Sequence, residues 1–177
     1  MIIRIAQEAD LEEVLFVERE AFGSDEESNL ARDLLADESA KPALSILAYQ
    51  NDQAVGHILF TKAWLEPQVN LSISLLAPLA VIPGAQNQGI GGQLIQQGLK
   101  ILTDRGIDLV FVLGHPTYYP RFGFNPAGKL GFEATFPIPD KNADAWMVKA
   151  LKPGLIDQYN GKVICADAMN RSEYWVE

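Results

Sequence analysis

Apolar and polar residues along this chain change period several times, and each change marks a boundary between elements. The opening MIIRIAQ reads as a strand. From Asp10, in position to cap, DLEEVLFVEREAF sets Leu11, Val14, Leu15, Val17 and Phe22 at helical spacing, with Glu18 on the same stripe. SNLARDLLAD predicts a second, short helix capped by Ser28. After Pro42, LSILAYQ and QAVGHILFTKAWL flank the turn residues Asn51 and Asp52, the pattern of an antiparallel hairpin.

NLSISLLAPLAV predicts a further strand, and Gln88 to Arg105 a helix with Leu94, Ile95, Leu99 and Leu102 on one stripe, ended by Gly106 in the C′ position. IDLVFVLG is apolar throughout and so reads as a central strand. Strand, helix and strand in that order imply a right-handed crossover between two parallel strands. The first half meanders, so the expected class is α/β with a mixed sheet. Pro78, inside LLAPLAV, cannot donate a ladder hydrogen bond, which predicts a bulge or a local parting of strands. Backbone groups near Leu79, Ala80 and Val81 would lose partners there, at about 1–3 kcal/mol for each buried unpaired amide. An extended ligand with amides of its own could satisfy them.

Composition narrows the picture. A chain of 177 residues suffices for one domain that buries roughly two-thirds of its unfolded surface. Its one cysteine, Cys165, cannot form an intrachain disulfide and sits in KVICADAM, which reads as a strand interior. That segment is an added strand able to cover a sheet edge or pair with another chain, so monomer and homodimer both stand. The formal charge of −9 argues against non-specific nucleic-acid binding, which needs Lys and Arg on phosphates. The acid-rich start is unlike a secretory signal and no apolar run reaches spanning length, so a cytoplasmic protein without a membrane partner is expected.

The chemistry concentrates in VIPGAQNQGIGG. A glycine-rich turn that feeds a helix points backbone N–H groups outward at the positive end of the helix dipole, where phosphate binds. A dinucleotide fingerprint would need glycine where Leu94 stands, and Asp108 opens the next strand where that fingerprint needs an acid at its end. No Gly-Lys-Ser or Gly-Lys-Thr follows, which excludes a P-loop.

The run LAVIPGAQNQGIGGQLI resembles motif A of the GNAT superfamily of acyl-CoA-dependent N-acetyltransferases, through Gln86, Asn87, Gln88, Gly89, Ile90 and Gly91. HPTYYPRFGF, after the next strand, resembles that family's Tyr-x-x-x-Gly-Phe element, with Tyr119 four residues before Gly123 and Phe124. Both lie in a chain similar to the subgroup with LAPLAV, YYxRFGF and VGHILF; the resemblance covers residues 1–151, leaving 152–177 as an extension packed on the same domain. It implies the GNAT fold, a central mixed sheet with a splay between two parallel strands. Acetyl-CoA would be the acyl donor, with the pyrophosphate on main-chain amides from Gln86 to Gly92 and the pantetheine arm along Leu79, Ala80 and Val81. The acceptor would be the primary amine of a small molecule or peptide, and no metal takes part. A module that binds acyl-CoA without catalysis is the alternative. Gln86 stands where Arg is commoner in the family, which removes a positive charge near the pyrophosphate.

By the same resemblance Tyr119 protonates the departing thiolate, with Tyr118 its competitor, and the N–H of Leu79 or Val81 faces the developing oxyanion. The base stays open between water and His115, since NLSISLLA holds no carboxylate. His57 reads as a hydrogen-bonded packing histidine, and Trp64, Trp146 and Trp175 as core or sheet-face residues. Lys100 and Arg105 read as a solvated face, and Asp25, Glu26 and Glu27 as a solvated loop at a helix start.

Overall fold

A computed structural model describes residues 1–176. Its elements in chain order are β1 (Ile2–Ile5), α1 (Leu11–Phe22), α2 (Glu26–Ala36), β2 (Leu44–Gln50), β3 (Gln53–Glu66) and β4 (Ile73–Val81). Then follow α3 (Ile90–Asp104), β5 (Leu109–Leu113), β6 (Asn125–Pro126), β7 (Phe132–Glu133), β8 (Trp146–Ala150) and β9 (Gly161–Ile164), with several short 3-10 turns between. Along the main sheet the strands run β1-β2-β3-β4-β5-β8-β6. The β4–β5 pair is parallel, joined through α3, and the other neighbours on this path are antiparallel. The class is the mixed α/β sheet that the pattern predicts.

Alternation along the strands divides the core in two. On one face Leu47, Leu59, Ala80 and Phe111 meet Val14, Val17, Leu30 and Leu34 of α1 and α2. On the other, Ile46, Ile58, Phe60 and Val110 meet Leu94, Ile95, Leu99 and Leu102 of α3. That is the stripe read from the sequence, and it covers the apolar face of the sheet.

Three boundaries differ from expectation. Asp10 makes no side-chain cap to α1; its carboxylate instead accepts from the Gln7 N–H and from Arg4, at 2.8 and 2.9 Å. α2 starts two residues before Ser28, whose buried hydroxyl donates to the Asp25 carbonyl at 3.1 Å. α3 begins at Ile90, because Asn87 and Gly89 take positive φ angles of 63° and 80° and cannot extend the helix backward.

The C-terminal segment joins the same core. β9 pairs antiparallel with Trp64–Glu66 of β3, past the point where β2 has left it, and so covers that edge. Cys165 and Trp175 are fully buried, and Trp175 packs edge-on to Trp146 at 5.5 Å, which itself stacks on Phe111 at 5.2 Å. Trp64 is half-buried on β3.

Candidate active site

The parallel ladder between β4 and β5 runs from Ile73 opposite Leu109 to Leu76 opposite Val112 and stops. Beyond it β4 continues to Val81 paired with β3 alone. Between the pairs Phe60–Leu76 and Ile58–Leu79, β4 advances three residues while β3 advances two, so β4 bulges at Ala77 and Pro78, whose peptide bond is cis. The Ile82 N–H donates to the Val55 carbonyl of β3 at 2.9 Å. Strand alternation then turns the N–H and C=O of Leu79 and Val81 the other way, toward the gap left by β5.

At the end of this free edge the chain makes its glycine turn. Gln86 folds back so that its Nε2 donates to the Val81 carbonyl at 2.9 Å, and Gln88 accepts from Gln50 Nε2 at 2.9 Å. Gln93 N–H to the Gly89 carbonyl, 3.1 Å, is the first backbone bond of α3, which leaves the amides of Ile90, Gly91 and Gly92 directed outward at the helix start. The turn, Leu79, Val81, Tyr118 and Arg121 enclose a cavity of about 410 Å³. Of the residues expected to bind the donor, Leu79, Val81, Gln86, Asn87, Gly89, Ile90, Gly91 and Gly92 line it. Ala80 points into the opposite core, and Gln88 is tied to Gln50 outside the cavity.

The aromatic element sits over the same helix start. A Cβ on Gly91 would lie 2.8 Å from the Tyr118 hydroxyl, and one on Gly92 would lie 3.2 Å from Phe122. These glycines therefore seat aromatic side chains as well as baring backbone. Burial pushes the Tyr118 phenol up from its ordinary value, and Arg121, whose guanidinium lies 5.6 Å over the ring, pulls it back. Arg121 is the one positively charged side chain lining this cavity among the described residues, and the sequence reading passed over it. Its signal was there: an arginine in YYPRFGF, in a chain with glutamine at position 86. Tyr119 is 8% exposed, seated on Gly114 just past β5, with its ring edge-on to Tyr118 and Phe124. His115 is exposed, and its carbonyl accepts from the Tyr118 and Tyr119 N–H groups.

The parting opens on its other face too. Leu75, Leu76 and Ala77 of β4 and Leu113 of β5 floor a cavity of about 240 Å³ whose walls include Glu26, Glu27, Glu173 and Tyr174. The acidic run thus divides. Asp25 is exposed and paired with Arg19, whereas Glu27 is half-buried and faces the cavity, a contact made by the return of the C-terminal segment. Among the described residues no group of three or more His, Cys, Asp or Glu could hold a metal ion, and no helix is long and apolar enough to cross a membrane.

A mixed sheet whose parallel strands part beside a glycine turn with free amides defines an acyl-CoA-dependent N-acyltransferase. Residues 2–127 match the family model described as the acetyltransferase (GNAT) domain, and the chain belongs to that family. It is 46% identical over 165 residues to YjhQ of Escherichia coli K12, an uncharacterized N-acetyltransferase, with 92% of this chain and 91% of that protein covered. The crystal structure of the E. coli GNAT-family N-acetyltransferase YhbS in complex with CoA, 29% identical, matches with a TM-score of 0.87 over 96% of this chain and 92% of that one. A GNAT-family acetyltransferase from Brucella melitensis in complex with acetyl-CoA, 27% identical, matches at 0.76 over 95% and 97%.

Proposed function

We propose that this protein moves an acetyl group from acetyl-CoA to a primary amine, the amine attacking the thioester directly. The observation that carries the reading is the edge of β4 that β5 leaves unpaired, the Leu79 N–H and C=O and the Val81 N–H, running straight into the outward amides of Ile90, Gly91 and Gly92. The donor supplies an activated acetyl thioester. Leu79 through its N–H and C=O, and Val81 through its N–H, meet the amides of the pantetheine arm, and the helix start with Arg121 offers donors and charge to the pyrophosphate. An N–H at Leu79 or Val81 also meets the thioester oxygen as negative charge builds on it.

Tyr119 is our choice of acid for the departing thiolate. It stands on Gly114 at the end of β5, beside the parting, whereas the Tyr118 hydroxyl lies over Gly91 at the phosphate end. A phenol with ordinary pKa near 10 is competent in that role. The amine would enter from the face floored by Ala77 and Leu113, where Glu26, Glu27 and Glu173 favour a cationic acceptor.

The test combines binding and turnover. Acetyl-CoA should raise the melting temperature by mass action, and Gly89→Val or Gly91→Val should abolish the rise. Against a panel of amines, Tyr119→Phe should keep the thermal shift and lose roughly 10²-fold in kcat, the scale of general-acid catalysis. Tyr118→Phe should affect KM more than kcat. A kcat loss confined to Tyr118→Phe would move the acid role to Tyr118, and thermal shift without turnover on any amine would favour a binding module.

A further inference from the structure

A cavity of about 650 Å³ lies beside Ile107, just past the C-terminal end of α3, and the acetyl-transfer reading does not use it. Its floor is the β3–β4 pair, where Lys62 stands opposite Ser74 and Trp64 follows two residues on, on the same face. The link between α2 and β2, with Glu38 and Lys41, walls one side, and the segment from Gln68 to Ser72 another. α3 has 15 residues, so at the helix rise its two ends stand about 22 Å apart, with the glycine turn at the far one.

Three donors meet here without partners. Ser74 is 3% exposed, and its hydroxyl makes no hydrogen bond among the described residues. Among the buried and half-buried residues described, Glu18 Oε1 is the one unpaired side-chain atom sealed from solvent, so the Ser74 oxygen keeps an opening, and the cavity is where that residue surfaces. On a face where the next residue, Leu76, and the β5 neighbour, Val110, are apolar, an unpaired hydroxyl serves no packing need. The Trp64 indole N–H is likewise unpaired, whereas those of Trp146 and Trp175 donate to the Phe132 and Met169 carbonyls at 3.0 and 3.1 Å. The Lys62 ammonium forms no ion pair among the described residues, while Lys41 is neutralised by Glu38 at 2.8 Å. The cavity thus keeps one uncompensated positive charge in a chain whose net charge is −9.

We propose that this cavity binds a sugar phosphate, at a site separate from that of acetyl-CoA. The phosphate accepts from the Lys62 ammonium and the Ser74 O–H, donors set opposite each other on adjacent strands, one of them charged. The ring lies along the Trp64 indole, whose apolar face matches the C–H face of a pyranose and whose N–H serves a ring hydroxyl. Gln68 and Asn70 bring side-chain amides, which donate and accept as hydroxyl groups require. The proposal does not depend on the transfer reaction. The phosphate here is held by side chains of β3 and β4, whereas the pyrophosphate of the donor is assigned to backbone amides at the other end of α3.

The experiment titrates the protein with glucose 6-phosphate by calorimetry and by tryptophan fluorescence, with glucose, inorganic phosphate and phenyl phosphate as separate arms. Trp146 and Trp175 are buried, so a change in emission reports Trp64. Glucose 6-phosphate should bind, shift the emission, and hold more tightly than glucose or phosphate alone. Lys62→Gln should weaken it at least about tenfold and Ser74→Ala about threefold or more, the scale of a charged and a neutral hydrogen bond. Trp64→Phe should abolish the emission change, and acetyl-CoA should leave the affinity for glucose 6-phosphate as it was. No binding, an affinity indifferent to Lys62→Gln, or a response that acetyl-CoA displaces overturns the proposal. Binding of phenyl phosphate in place of glucose 6-phosphate overturns it as well, since the ring would then not be a sugar. Lys62 is exposed and its substitution leaves the core intact, so Lys62→Gln decides should Ser74→Ala fail to fold.

Discussion

Gly91 shows how one residue serves two neighbours. Its missing side chain leaves room for the Tyr118 hydroxyl and leaves its own N–H bare at the start of α3. The motif made the second use legible, whereas the first depends on a tyrosine 27 residues further on. At the same scale, Glu18 gives the fold a distinct pH dependence. Burial raises its carboxyl above the ordinary 4.5, against the opposing pull of His57. A group whose folded pKa exceeds its unfolded one contributes stability that is complete below the unfolded value and is lost as pH rises through the folded one. Urea stability of the parent should therefore carry a falling component above pH 4.5 that Glu18→Gln lacks. Asp10 works in the opposite sense and in a lower window, since Arg4 depresses it from 3.8 to about 2. The difference between parent and Glu18→Gln, measured from pH 4.5 to 8, isolates the glutamate; parallel curves would show that Glu18 is not perturbed by the fold.

Helix α3 sets how close the glycine turn lies to β4, where we place the donor, and its seat is a glycine. Gly98 faces the ring of Phe60 on β3, and a Cβ at that position would overlap it. Gly98→Ala must lift the helix or rotate the phenylalanine, at a cost of about 1–3 kcal/mol for an overpacked core. Equilibrium urea unfolding should show that loss. Acetyl-CoA should also bind more weakly, because the amides of Ile90 to Gly92 move with the helix relative to β4. A variant with undiminished stability would mean that the ring yields freely and that helix depth is set elsewhere. Element type and order were legible from β1 to β5 because apolar spacing reports them directly. Starts were less so: Asn87 and Gly89 hold the turn open by their φ angles, and the polar residues around them gave no sign of where the first helical turn begins.

Across the whole molecule the C-terminal segment completes the fold. β9 covers β3, Trp175 fills the core against Trp146 and donates to the Met169 carbonyl at 3.1 Å, and Glu173 and Tyr174 wall the cavity floored by Leu75 and Leu113. Trp175→Ala should cost about 3–5 kcal/mol, as removal of a fully buried tryptophan does. Unfolding should remain a single transition by fluorescence and circular dichroism. Two separated transitions would instead make residues 152–177 a unit that folds apart from the rest.

The sequence by itself determined what depends on near neighbours. Apolar period specified the helices and the strands as far as Leu113, though not β6, β7 or β8, Pro78 marked the bulge, and the run from Gln86 to Gly92 identified the helix start with bare amides. Each rests on backbone geometry or on residues within a turn or two, which chain order preserves. Tertiary structure decided what depends on distant partners. It set Arg121 and Tyr118 over the glycine turn, split Asp25 from Glu27 by bringing Glu173 alongside, and joined Glu18, His57 and Ser45 into one chain of hydrogen bonds. Glu18 fell on an apolar stripe and His57 read as a packing residue, and each alone gave no reason to connect it with the other. Thirty-nine positions separate them, and only the crossing of α1 over β3 brings a carboxylate and an imidazole to hydrogen-bond distance in the core.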